Sequence, residues 1–240
     1  MERIIVDNIS KKFKIGFKKR QTALARILSF FSGKEPKRTI KALKEISFNA
    51  EAGEIVGIIG SNGSGKSTLL RVIAGIFKQD GGIIKINGNL ISLIGLAIGF
   101  DPRLTMKENI FLCGSLFGLG QKTIKKRFNS IVKFSELEEF VNTKVYQFSE
   151  GMKQRFAFSI AIHCNPEILL LDEVFEVGDQ AFRIKSINKI KEIVKKGTTV
   201  LLVTHRMDLI EKYCDRVIWV KEGDIFREGA AKKIVKEYLK

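Results

Sequence analysis

The sequence predicts an α/β fold with a mostly parallel sheet, a small β subdomain and an inserted helical lobe, and three observations carry that prediction. EIVGIIG is a short β-branched run suited to a buried strand; it ends in a glycine-rich turn and leads into STLLRVIAGIF, whose apolar residues have helical spacing. From residue 106 to 139 the pattern is mostly helical, and no strand signal competes until EILLL at 167–171. After that strand, a lysine-rich helix over 182–195, the strand TVLLV, the helix MDLIEKYC and the hairpin RVIWVKEGDIFREG follow in alternation, which favours parallel pairing.

Taken in order, the opening IIVDNISKKF alternates like an edge strand. A basic insertion containing TALARILSFF, which can form an amphipathic helix, separates it from a second alternating strand, KALKEISFNA. Ser149 is placed to cap the helix that continues through FAFSIAIHCNP. There is no internal repeat, low-complexity tract or proline-rich linker, so one unit is expected: residues 1–96 and 165–240 form the core and β subdomain, and 97–164 the helical lobe.

Composition removes several classes. With 45% apolar residues, the 240-residue chain can bury a proper core, which excludes disorder. Three cysteines about fifty residues apart cannot pair evenly, and two histidines are too few to join them in a metal site; this usage fits a reducing cytoplasm. The first ten residues carry Glu2 and Asp7 and no apolar stretch of signal-peptide length. The longest uncharged runs, 87–100 and 109–121, fall short of the roughly 20 residues a spanning helix needs. The net charge of +16 is concentrated: residues 11–44 hold twelve Lys or Arg and one acid, which is 12 − 1 = +11 of it.

Gly60-Ser61-Asn62-Gly63-Ser64-Gly65-Lys66-Ser67 matches the phosphate-loop pattern GxxxxGK[ST] at every fixed position, between a strand and a helix. Glycines let backbone N–H groups crowd around phosphates, the helix N-terminus adds a positive dipole end, Lys66 reaches the β and γ phosphates, and Ser67 can ligate Mg²⁺. A nucleoside triphosphate is the natural ligand. At the end of EILLL, Asp172 can hold Mg²⁺ through its water shell, and Glu173 is the candidate base that polarises the water attacking the γ phosphate. His205, directly after TVLLVT, sits where a core strand ends; His163, before Cys164 and Pro166, reads as structural.

Phe148-Ser149-Glu150-Gly151-Met152, between those motifs, resembles the signature of the ABC ATPases, usually written LSGGQ. Its FSEGM form, with a phenylalanine-rich helix after it, looks like the polysaccharide-exporting branch, where SSGM is frequent. The resemblance covers nearly the whole chain except the basic insertion. It implies a RecA-like core with an antiparallel β subdomain and a helical subdomain, and two copies packed head to tail around two ATP molecules. Each ATP would lie between one subunit's phosphate loop and the other's Ser149 and Gly151, whose helix N-terminus suits the γ phosphate. By the same resemblance Phe13 stacks on adenine, His205 contacts the γ phosphate, and Asp179 lies in the loop signalling between sites. The implied cofactors are ATP and Mg²⁺.

Three departures from the family pattern stand out. No glutamine occurs between Gln79 and Gln121, where the family's Mg²⁺-contacting Gln is usual; LIGLAIGFDPRLT stands there, and Gly99-Phe100 again resembles the polysaccharide exporters. Which group completes the metal shell is left open. Glu150 and Glu176 put extra carboxylates near the triphosphate, which should weaken closure and slow turnover.

The resemblance implies a peripheral ATPase on the cytoplasmic face of the inner membrane, working with an integral membrane permease. Its cargo would be a lipid-linked polysaccharide that it contacts indirectly. The chain ends soon after its last hairpin, so no separate carbohydrate-binding domain is expected and cargo choice falls to the permease. Two rivals remain: an exporter of a drug or lipid, and a soluble nucleic-acid-linked ABC ATPase suggested by the charge. The second is disfavoured by the single phosphate loop and the lack of sustained heptads, so no nucleic acid partner is expected. The insertion over 18–44 is either a solvated loop or, given Leu24, Ile27, Leu28 and Phe31 at helical spacing, a surface for anionic lipid or the permease.

Overall fold

A computed structural model describes residues 1–15, 38–94, 99–172 and 180–240. The amphipathic helix expected within the basic insertion lies outside these residues, as do Glu173, Glu176 and Asp179.

Along the chain run β1 (Glu2–Ile15), β2 (Arg38–Glu51), β3 (Ile55–Ile59), α1 (Lys66–Ile73), β4 (Gly81–Ile86), β5 (Leu90–Leu93), α2 (Met106–Leu116), α3 (Gln121–Ser135), α4 (Glu150–His163), β6 (Ile168–Asp172), α5 (Gln180–Lys195), β7 (Thr199–Val203), α6 (Met207–Tyr213), β8 (Arg216–Lys221), β9 (Asp224–Ala230) and α7 (Ala231–Tyr238). Two sheets result. One is antiparallel, in the order β2-β1-β4; the other runs β5-β6-β7-β3-β8-β9 and is parallel except for the closing β8–β9 hairpin.

The parallel strands read as unbroken apolar runs because both of their faces are covered. Alternate residues go to different cores. Val56 and Ile58 of β3, Ile168 and Leu170 of β6, and Leu201 and Val203 of β7 pack toward α1 and the antiparallel sheet. Ile55, Ile59, Leu169, Leu171, Val200 and Leu202 pack toward the helices on the other face.

The opening segment alternates as expected, with Ile4, Val6 and Ile9 buried. It is not an edge strand, however: β1 is the middle of its sheet, Ile5 pairing with Asn49 of β2 and with Lys85 of β4. Alternation reports that one face of a strand meets water; it carries no information on whether both hydrogen-bonding edges are occupied.

Between β5 and β6 the described residues carry α2, α3 and α4. Thr105 and Glu108 form a reciprocal capping box at the start of α2, Thr105 Oγ1 accepting from the Glu108 amide and Glu108 Oε2 from the Thr105 amide. Behind it, the fully buried Asn109 ties down the preceding loop: its side-chain amide donates to the Asp101, Leu104 and Thr105 carbonyls and its oxygen accepts from the Asp101 amide. Phe100 lies on Phe156 of α4 with ring centroids 4.8 Å apart and planes 12° from parallel, which packs Phe100 onto the helix that Ser149 begins. The three cysteines are buried, and burial pushes each thiol up to about 12. No helix among the described residues is long and apolar enough to cross a membrane.

Candidate active site

Three neighbouring parallel strands end together. Ile58 of β3 and Asp172 of β6 are both level with Val203 of β7, so the turns beyond them share one edge of the sheet. That edge, outside the carboxyl ends of parallel strands, is where open α/β sheets bind ligands. It receives the glycine-rich loop after β3, His205 after β7 and Asp172 at the end of β6.

The loop is held from behind. At Gly60, φ is +150° and a Cβ would lie 2.1 Å from the Val220 carbonyl oxygen; at Gly65, φ is +113° and a Cβ would lie 2.7 Å from that of Ala42. Only glycine fits at either position. Gly65 is the N-cap of α1, and no side chain caps that helix, which leaves its first-turn amides available to an anion. The Lys66 ammonium, 7% exposed, donates to the Gly60 and Ser61 carbonyls at 2.8 and 2.9 Å, poised over the same loop.

An open cleft of about 460 Å³ lies in front of these groups. Asn62, Gly63, Gly65, Lys66 and Ser67 line it, and His205 joins them from the turn after β7. The cleft is of ligand size. Gly60, Ser61 and Ser64 belong to the loop but not to the cleft lining, and Ser64 is buried beneath it. Next to His205, Arg206 grips both carboxylate oxygens of Asp208 at 2.8 and 2.6 Å. This fork holds the Asp208 carboxyl below its ordinary value and ties together the turn that presents His205.

The cleft is bounded by residues that local sequence pattern did not single out. Ile40, Lys41, Ala42 and Lys44 of β2 form one wall, and Glu222 and Gly223 of the β8–β9 turn another. Phe13 stands across from Ile40 in the sheet, with its ring edge-on to Phe77 at 5.5 Å and the Lys11 ammonium 5.4 Å from its centroid; Ile40, not Phe13, reaches the lining.

Ser149 does cap α4 as expected, accepting from the Met152 amide at 3.2 Å. It is exposed, and neither it nor Gly151 lines the cleft of its own chain. Glu150 beside it has the Lys153 ammonium 3.7 Å away, so the turn supplies a counter-ion for its extra carboxylate, though a weak one at this exposure.

A loop of phosphate-binding pattern, an acidic strand end and a histidine share one sheet edge, and a capped glycine turn stands among the helices between β5 and β6. Residues 43–176, more than half of the chain, match the model of the ABC transporter family. The chain belongs to that family. As an ABC cassette it is an ATPase. The chain is 41% identical over 201 residues to the O-antigen export system ATP-binding protein RfbB of Klebsiella pneumoniae, covering 84% of this chain and 82% of that one. It is 37% identical over 243 residues to the RfbB of Myxococcus xanthus, and 41% identical over 215 residues to the teichoic acids export ATP-binding protein TagH of Enterococcus faecalis. These matches take in 99% and 90% of this chain but 56% and 47% of those relatives, so it spans about half of their length. Among solved structures, the ATP-binding cassette MJ0796 in a dimeric post-hydrolysis state with ADP and Pi superposes with a TM-score of 0.77 at 27% identity, over 95% of this chain and 98% of that one.

Proposed function

We propose that this ABC cassette powers export of a lipid-linked polysaccharide, as a head-to-tail pair at the cytoplasmic face of the membrane beside an integral membrane permease. The cargo meets the permease rather than the cassette, and no nucleic acid takes part. The observation that carries the dimer is the location of Ser149: a capped, exposed helix N-terminus that is absent from the cleft of its own chain and therefore free for a second copy's triphosphate. The solved cassette dimer supports that arrangement, and the export names of the relatives support the cargo.

In this reading the amides at the start of α1 and Lys66 bind the β and γ phosphates, while adenine lies on the wall that Ile40 forms beside Phe13 in the sheet. Ser67 and Asp172 are the oxygen donors suited to Mg²⁺, which would neutralise charge on the transferred phosphoryl group. Glu173 orients and polarises the attacking water, His205 contacts the γ phosphate, and Asp179 links the two sites. Residues 97–164 act as the lobe that carries Ser149 and Gly151 toward the partner's ATP.

Glu173→Gln tests this most directly. The variant is expected to bind ATP, to elute as an ATP-dependent dimer in size-exclusion chromatography, and to lose about 1,000-fold in phosphate release. Wild-type turnover in that variant would remove Glu173 from the chemistry. Copurification with a permease from detergent-solubilised membranes tests the transport assignment separately.

A further inference from the structure

The β8–β9 turn brings to the nucleotide cleft a residue that lies outside the family-matched stretch 43–176. Lys221 pairs with Asp224, leaving a two-residue loop, Glu222-Gly223, with φ of +51° and +83°. Both values are left-handed, as a type I′ hairpin requires, and the first position of such a turn ordinarily takes Asn, Asp or Gly. A glutamate there holds a conformation its Cβ disfavours.

The turn does more than reverse the chain. The Gly223 amide donates to the Ser64 carbonyl at 2.8 Å, and the Gly223 carbonyl accepts from the Lys44 amide at 2.7 Å. A Cβ on Gly223 would stand 2.7 Å from the Ala42 carbonyl oxygen, so the turn is wedged between the phosphate loop and β2. Glu222 thereby lines the cleft together with Ile40, Ala42 and Lys66, is exposed to it, and makes no hydrogen bond or ion pair with any described residue.

The chemistry of the neighbours restricts what this carboxylate can meet. One end of the cleft, with Lys66 and the α1 amides, takes phosphate, which would repel a carboxylate; on the β2 wall Lys41 and Lys44 also suit phosphate, and the apolar Ile40 and Ala42 suit the flat base. Between phosphate and base a nucleotide carries its sugar, whose hydroxyls are hydrogen-bond donors matched to a carboxylate acceptor. We infer that Glu222 accepts a hydrogen bond from a ribose hydroxyl of the bound nucleotide and so selects ribonucleotides over deoxyribonucleotides. The inference rests on ATP being the ligand of this cleft.

Calorimetric titration of the full chain with ATP, 2′-deoxy-ATP and 3′-deoxy-ATP tests it. Wild type is expected to bind ATP roughly tenfold more tightly than at least one deoxy analogue, the value of one hydrogen bond to a charged group. In Glu222→Gly that ratio falls to about one, while the melting temperature stays the same or rises because glycine suits the left-handed turn. A structural role alone would move stability and leave the ratio untouched. Wild type binding all three nucleotides equally, an unchanged ratio in Glu222→Gly, or an equal loss for all three with a lowered melting temperature would each overturn the inference. Undiminished ATP binding in Lys66→Ala would instead strike at the assignment of the cleft itself.

Discussion

The loop around Lys66 and the turn around Ser149 both present a helix N-terminus, yet the molecule builds them differently. The first is pressed against the Val220 and Ala42 carbonyls and tied to the β8–β9 turn, so its shape is set within one chain. The second stands on the helical lobe with a single side-chain cap, and a Cβ added at Gly151 would meet nothing within 4 Å. In the proposed head-to-tail pair, a preformed cradle and an open turn are two halves of one site: the cradle would hold ATP in a lone subunit, whereas the turn would stay accessible until a partner arrives.

The largest expected effect breaks the cradle. Lys66→Ala removes the only ammonium among the loop residues and should weaken ATP binding by at least about 100-fold, roughly 2.7 kcal/mol, in equilibrium titration. Binding within a few-fold of wild type would show that the amides suffice. A matched pair of glycine changes sharpens the contrast next. Gly60→Ala drives a methyl group into the Val220 carbonyl and should cost on the order of 3 kcal/mol in chemical denaturation. Gly151→Ala should leave stability within about 0.5 kcal/mol of wild type, since the site is open, yet impair ATP-dependent dimerisation. If Gly151→Ala unfolded the protein, or dimerised normally, the turn would not be a surface reserved for a second copy.

The smallest effect concerns the turn that carries His205. Arg206 lowers the folded-state pKa of Asp208 below its unfolded value, so any stabilisation from this pair is fully present above about pH 4 and disappears as pH falls through the lower folded value. The melting-temperature gap between wild type and Asp208→Asn should therefore be small and constant above about pH 5 and close below about pH 4. A gap that persisted in acid would assign the effect to packing instead of charge.

Legibility in the sequence follows locality. The phosphate loop could be read because its fixed residues are close together in the chain, although the carbonyls that press on Gly60 and Gly65 are distant, and β3, β6 and β7 because strands buried on both faces are continuous apolar runs. β4 and β5 gave no such signal. GGIIKI alternates weakly and is partly exposed, LISL is four residues long, and their partners, β1 and β6, lie about eighty residues away in either direction. The amphipathic α7 is similarly short. The hairpin that contains Glu222 was apparent from its pattern, but a hairpin looks the same wherever it docks, so its place in the cleft was not. The alternation of β1 likewise announced a wet face and concealed two occupied edges.

The division of each parallel strand between two cores bears on how this chain can change. Val56 and Ile58 serve one side of the sheet while Ile55 and Ile59 serve the other, and β6 and β7 repeat the arrangement. Losing one residue from β3 would not thin a single layer; it would send every later side chain of that strand to the opposite layer and move Lys66 relative to Asp172 and His205. An insertion or deletion within these three short strands is therefore costly, whereas the connections outside them can change length without inverting a strand.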